Sequence, residues 1–141
     1  MSIISDDKPL IIFEIANNHM GSVEHGLRII DTFGEYRQHY PFNFAFKFQY
    51  RHIPTFIHPK YQNRLDIKYV KRFSETAFVK DQFAQLNERV RVLGLTVIAT
   101  PFDELSVEQA IDLDVDILKV ASCSFTDWPL LEMISQAEKP V

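Results

Sequence analysis

The sequence predicts an α/β fold built on a parallel sheet, and three observations carry that expectation. Short apolar segments alternate along the chain with segments of helical period. The polar residues inside the strand-like segments gather in their carboxyl-terminal halves, where α/β active sites form. The whole order reads β-α-β-(α)α-β-α-β-α-(β), with a helical segment after every strand. Strands alternating with helices require right-handed crossovers, which leaves either a (β/α) barrel or a doubly wound sheet. The first strand–helix turn lacks G-x-G-x-x-G, which weighs against a dinucleotide-binding version of the second.

The elements follow in order. Leu10 to Ala16 (LIIFEIA) is apolar except for Glu14, as in a strand covered on both faces. Asn17 to Gly21 reads as a turn, Ser22 as an N-cap, and Val23, Leu27, Ile30 and Gly34 fall at helical spacing. Asn43 to Gln49 alternates within a stripe of Phe42, Phe44, Phe46, Phe48 and Tyr50, which is expected to face helices while Lys47 and Gln49 face the interior. Arg51 to Arg64, with two prolines and no period, reads as a long loop, and Arg51, His52 and His58 are expected to be solvated. A helix is expected over Asp66 to Ala77. A stronger one runs through Val79, Phe83, Leu86, Val90 and Leu93, stopped by Gly94. Leu95 to Thr100 is a third strand. Ser106 with Gln109 matches a capping box, with Leu105 and Ala110 placed for a hydrophobic staple, at the start of a short helix through Val107 and Ile111. Asp116 to Ala121 is a fourth strand, Asp127 and Pro129 open a helix through Leu130, Ile134 and Ala137, and Pro140-Val141 leads toward a fifth strand.

Composition narrows the function classes. The chain has 141 residues, 46% hydrophobic and 24% charged, with a net charge of −4 and no basic block, so binding to nucleic acid through phosphate neutralisation is disfavoured. No apolar run is long enough for a membrane span and the start lacks a signal-peptide pattern, which points to a cytoplasmic protein. The single cysteine excludes an internal disulfide, and Cys123 reads as a packing residue. A complete eightfold barrel takes ~250 residues, so the expectation is about half of one: four βα units and the start of strand five. Such a half leaves two sheet edges and an inner face open, and self-association is expected of it.

The candidate site is the carboxyl-terminal rim. Glu14 on the first strand, Lys47 and Gln49 on the second, Thr100 on the third and Lys119 on the fourth converge there, with Ser122 and Ser124 just beyond. Two lysines entering a partly desolvated pocket make a strong anion site, suited to a phosphate or carboxylate. A carboxylate beside them orients a hydroxyl or acts as acid or base; the plain alternative is an ion pair of Glu14 with Lys47 or Lys119. His19 in the first turn is either a solvated loop histidine or a rim group.

Four runs in register, Glu14-Ile15-Ala16-Asn17-Asn18-His19-Met20-Gly21-Ser22, Lys47-Phe48-Gln49, Thr100-Pro101-Phe102 and Lys119-Val120-Ala121-Ser122, resemble successive motifs of the N-acetylneuraminate (sialic acid) synthase family. Pro129-Leu130-Leu131 and Lys139-Pro140-Val141 continue the resemblance, which covers the chain from Leu10 onward. It implies residues 1–141 as the N-terminal portion of a TIM barrel, with the rest of the barrel and an antifreeze-like domain outside the chain. It also implies a cytoplasmic homodimer that condenses phosphoenolpyruvate with an N-acetylated aldose such as N-acetylmannosamine, in surface-polysaccharide or flagellin sugar synthesis. A divalent metal, Mn²⁺ or Mg²⁺, would activate the aldehyde, with ligands outside this chain. By position, Glu14 and Lys119 would be catalytic, and Lys47, Gln49, Thr100, Ser122 and Ser124 would bind substrate. Two departures stand out: Ser124 replaces a usual Glu or Asp, and Tyr40-Pro41-Phe42 replaces a small, Gly-containing approach to the second strand. Alternative readings are a related phosphoenolpyruvate-condensing or aldolase-type barrel, and a non-catalytic half barrel that binds small anions or a partner.

Overall fold

The computed structural model describes residues 7–141. Its four strands, β1 (Leu10–Ala16), β2 (Asn43–Tyr50), β3 (Thr96–Pro101) and β4 (Ile117–Leu118), form one parallel sheet in the order β1-β2-β3-β4. Neighbours in sequence are neighbours in the sheet, with no reversal of strand order among the described residues. That is the winding of a (β/α) barrel rather than of a doubly wound sheet. After the last helix the chain returns beside β4, where the Leu118 N–H donates to the Pro140 carbonyl at 2.9 Å.

The described residues form six α-helices: α1 (Val23–Gly34), α2 (Ile53–Phe56), α3 (Lys68–Glu75), α4 (Lys80–Val92), α5 (Glu104–Asp112) and α6 (Trp128–Ser135). Ser22 caps α1 by accepting from the His25 N–H at 3.1 Å, and Gly94 ends the turn after α4 at φ +70°. The phenylalanine stripe of β2 is core as expected. Phe46, Phe48 and Tyr50 are fully buried with Ile30, Leu86, Val90, Val97 and Leu118. Tyr50 accepts a hydrogen bond at 2.8 Å from the equally buried Asn87 amide of α4, fixing that helix to the sheet. Phe42, at the mouth of the stripe, is instead exposed.

Three expectations are corrected. The stretch from Arg51 to Arg64 is not a plain loop: it holds α2 and a 3₁₀ turn at Pro59–Tyr61, each with a proline in its first turn, where the missing N–H costs nothing. The capping box at Ser106 and its staple do not form, because the helix begins earlier. Asp103 is the N-cap of α5 and accepts from the Ser106 N–H at 2.9 Å and the Ser106 hydroxyl at 2.9 Å. The regular part of β4 is two residues long rather than the whole of Asp116 to Ala121, since a 3₁₀ turn at Ser122–Ser124 draws the chain off the ladder.

Candidate active site at the carboxyl ends of the strands

Glu14, Lys47 and Thr100 lie on three adjacent strands and touch. Glu14 is the direct register partner of Lys47, and Gln49 that of Thr100. The Glu14 carboxylate is held twice: one oxygen accepts from the Ala16 N–H at 2.9 Å and the other pairs with the Lys47 ammonium. The first of these contacts depends on an irregularity. The β1–β2 register slips between Glu14 and Ala16, and Ala16 adopts φ +47°. A left-handed alanine is strained, and such strain collects at functional positions. Lys47 also donates to the Thr100 hydroxyl at 3.4 Å, and its side chain is only 13% exposed against 38% for Glu14. The ion-pair alternative is thus the observed geometry for Glu14 and Lys47. Taking a lysine this far out of water is costly even when it is paired, so stability alone is a weak reason for the arrangement.

Lys119 follows β4, its N–H donating to the Ala99 carbonyl at 2.8 Å. Its side chain is exposed, and its ammonium has no hydrogen-bond or ion-pair partner among the described residues. With Lys47 it lines a depression of about 650 Å³, floored by Ile12, Ile98 and Ile117. The two lysines therefore open on one concavity with apolar walls, where their fields add. A second hollow, of about 320 Å³, lies beside β1 and the start of β2 and is lined by Phe13, Phe33, Tyr36, Tyr40, Phe42 and neighbouring side chains. Its lining carries no charged side chain, and its only side-chain heteroatoms are the hydroxyls of Tyr36 and Tyr40.

The remaining expected residues are placed less uniformly. Ser122 is exposed on the 3₁₀ turn; Ser124 is buried, its hydroxyl 3.9 Å from the Cys123 sulfur, and neither serine lines the lysine depression. Gln49 accepts a 2.7 Å hydrogen bond from Arg51, a residue expected to be solvated. That expectation fails. The Arg51 guanidinium lies 3.9 Å from the ring centre of Phe102 and 4.4 Å from that of Phe73, and it also reaches the Asn17 side-chain oxygen at 3.5 Å. Burial pulls it down to about 10, opposed by the nearby Cys123, Asp103 and Glu14. It remains a cation at neutral pH, since a guanidinium does not deprotonate there. Arg51 follows Lys47 and Gln49 at the same two-residue spacing, one position beyond the end of β2.

His52 is half-buried, its backbone N–H donating to Asp103 at 2.8 Å, while His58 is exposed as expected. His19 is not solvated: it is 3% exposed, stacks 4.0 Å from the Phe78 ring, and accepts from the Gly21 N–H at 3.1 Å. Burial, with a smaller push from His25, lowers it to about 4, so it is neutral at pH 7. Among the described residues, no three His, Cys, Asp or Glu side chains come together as metal ligands would, and no helix is long and apolar enough to cross a membrane.

Comparison with known proteins gives the chain its family. The model of the NeuB family matches residues 44–141. An N-acetylneuraminate-9-phosphate synthase of Drosophila melanogaster is 29% identical over 146 aligned positions, covering 96% of this chain and 37% of its own length. Among solved structures, a protein assigned to spore coat polysaccharide biosynthesis (protein E) from Chromobacterium violaceum is 51% identical with a TM-score of 0.91, over 95% of this chain and 40% of that one. The N-acetylneuraminic acid synthetase of Leptospira borgpetersenii, solved in complex with citrate, is 29% identical with a TM-score of 0.75, over 95% of this chain and 44% of that one. The chain spans 36–37% of the length of the curated relatives.

Proposed function

Because the chain belongs to the NeuB family and has its synthase-type fold, we propose that these residues form the phosphoenolpyruvate side of a condensing active site. The reaction joins phosphoenolpyruvate to an N-acetylated aldose, N-acetylmannosamine or a related amino sugar. With one water it yields a 2-keto nonulosonic acid and inorganic phosphate. The observation that carries the reading is the pair of lysines, Lys47 and Lys119, opening on one depression lined by Ile12, Ile98 and Ile117.

Phosphoenolpyruvate brings a phosphate and a carboxylate, and each ammonium offsets one of these charges in a site where little water competes. Thr100 already accepts from Lys47, so its own hydroxyl proton is left for a ligand oxygen. Gln49, its carbonyl taken by Arg51, has only N–H groups left to offer. Glu14, tied to Ala16 and Lys47, is placed to orient a hydroxyl or carry a proton while the enol carbon attacks the aldehyde carbon. Ser122 is a further neutral donor from the turn after β4, and Ser124, at the position of a usual acid, gives the sugar side a neutral residue. The divalent metal that the resemblance implies has no fitting ligand set among the described residues, and no step here runs through it. The homodimer and the cytoplasmic setting belong to the same reading.

The test is release of phosphate from phosphoenolpyruvate by the protein in its natural full-length form, with and without N-acetylmannosamine. The reading expects sugar-dependent release, reduced about 100-fold or more by Glu14→Gln, the usual scale for a lost acid–base group. Undiminished release by Glu14→Gln, or release indifferent to any amino sugar, would contradict it.

A further inference from the structure

We propose that Arg51 is a positioning residue: clamped between Phe73 and Phe102, its guanidinium turns the Gln49 amide so that the N–H groups of Gln49 face the ligand. The inference rests on the functional reading only for the identity of that ligand.

The chemistry is directional. A guanidinium has donors and no acceptor, so whatever amide it meets must present its carbonyl. One Arg51 nitrogen donates to Gln49 at 2.7 Å and another to Asn17 at 3.5 Å. Both amides are thereby oriented from one cation. The Asn17 nitrogen then donates to the Thr76 hydroxyl at 2.9 Å, which donates on to the Arg72 carbonyl at 2.8 Å. Every proton in that chain runs away from Arg51. It joins the turn after β1 to the end of α3, and the Gln49 amide keeps its own N–H groups unused among the described residues.

The clamp also bears on the orientation of the guanidinium. The rings of Phe73 and Phe102 strip water from the guanidinium, while its third nitrogen, Nε, is buried without any hydrogen-bond partner. No hydrogen bond from Nε to any described residue fixes the plane of the guanidinium. The plane of the side chain is instead set by the aromatic faces, which aim its terminal nitrogens at Gln49 and Asn17. Lysine, a single point charge on a flexible stem, cannot hold two carbonyls in one plane.

Two measurements test the proposal on wild type, Arg51→Lys, Arg51→Met and Gln49→Glu. The first is the nitrogen-15 order parameter of the Gln49 side-chain amide, with the backbone amide spectrum as the check of folding. It is expected to be near rigid values in the wild type and to fall below about 0.6 in Arg51→Lys, which keeps the charge, and in Arg51→Met. The second is calorimetric titration with phosphoenolpyruvate, where Arg51→Lys is expected to bind about tenfold more weakly. Gln49→Glu, which keeps the tie to Arg51 but has no N–H, should lose at least as much. An unchanged Gln49 order parameter in a folded Arg51→Lys variant overturns the proposal, as does full affinity in Gln49→Glu. A wild type that ignores phosphoenolpyruvate while Gln49 still loosens in Arg51→Lys overturns the functional reading and supports the positioning of Gln49.

Discussion

Acidification should weaken this fold through His19, and the size of the effect follows from its surroundings. The ring is 3% exposed, stacked on Phe78, and its Nδ1 accepts from the Gly21 N–H, a contact that a protonated ring cannot keep. Its folded pKa of about 4 lies below the ordinary 6.5, because burial penalises the charged ring and His25 adds repulsion. Between those two values the unfolded chain binds the proton and the folded chain does not, so stability rises with pH across that window. It is fully present above about 6.5 and lost as pH falls toward 4. The gap corresponds to roughly 2–3 kcal/mol, allowing for some solvent screening at the turn. Urea unfolding at pH 7.5, 6, 5 and 4.5, on wild type and His19→Asn, measures it. The asparagine oxygen can still accept from Gly21, so the variant should be less stable at pH 7.5 from lost ring packing yet show a slope shallower by about that amount. Parallel slopes for the two proteins would refute the assignment.

Further outcomes are expected from the turns that position the rim. Gly21→Ala should cost more than about 2 kcal/mol in urea unfolding, because Gly21 sits at φ +73° and an added Cβ would lie 2.7 Å from the Glu75 carbonyl oxygen, a backbone atom that cannot swing aside. Asp103→Ala should cost about 2–3 kcal/mol, since one carboxylate holds the His52 N–H, the Ser106 N–H and the Ser106 hydroxyl; an unchanged midpoint would show that water takes over those donors.

The strands were legible because their patterns have one physical cause each. The alternation of Phe44, Phe46, Phe48 and Tyr50 could be satisfied only by a strand with helices on that side, and Lys47 and Gln49 had to take the other face. What alternation cannot reveal is which charged side chain an aromatic pair will strip of water. Arg51 looks like any loop arginine until Phe73 and Phe102, 22 and 51 residues further on, close over it. His19 was ambiguous for the same reason, its burial depending on Phe78 across a chain excursion that has no sequence period. The start of α5 went to the wrong residue because Ser106 and Asp103 are both good caps, and only the tertiary bond from His52 to Asp103 decides between them. The shared depression of Lys47 and Lys119 was foreseeable from strand parity; the location of Ser122 and Ser124 outside its lining was not, because a 3₁₀ turn ends the parity at Ala121.

Lys119 offers the most direct test of the rim as an anion site. It is exposed and has no partner among the described residues, so its removal leaves no orphaned charge, whereas truncating Lys47 would strand Glu14. The measurement is calorimetric titration of phosphoenolpyruvate into the natural full-length protein and its Lys119→Ala variant, with Cys123→Ala as the control. One charge-assisted contact in a partly desolvated pocket contributes about 1–3 kcal/mol, so Lys119→Ala should bind roughly 5- to 150-fold more weakly while Cys123→Ala binds as the wild type does. Equal affinities for wild type and Lys119→Ala would contradict the account and return Lys119 to the class of ordinary surface lysines.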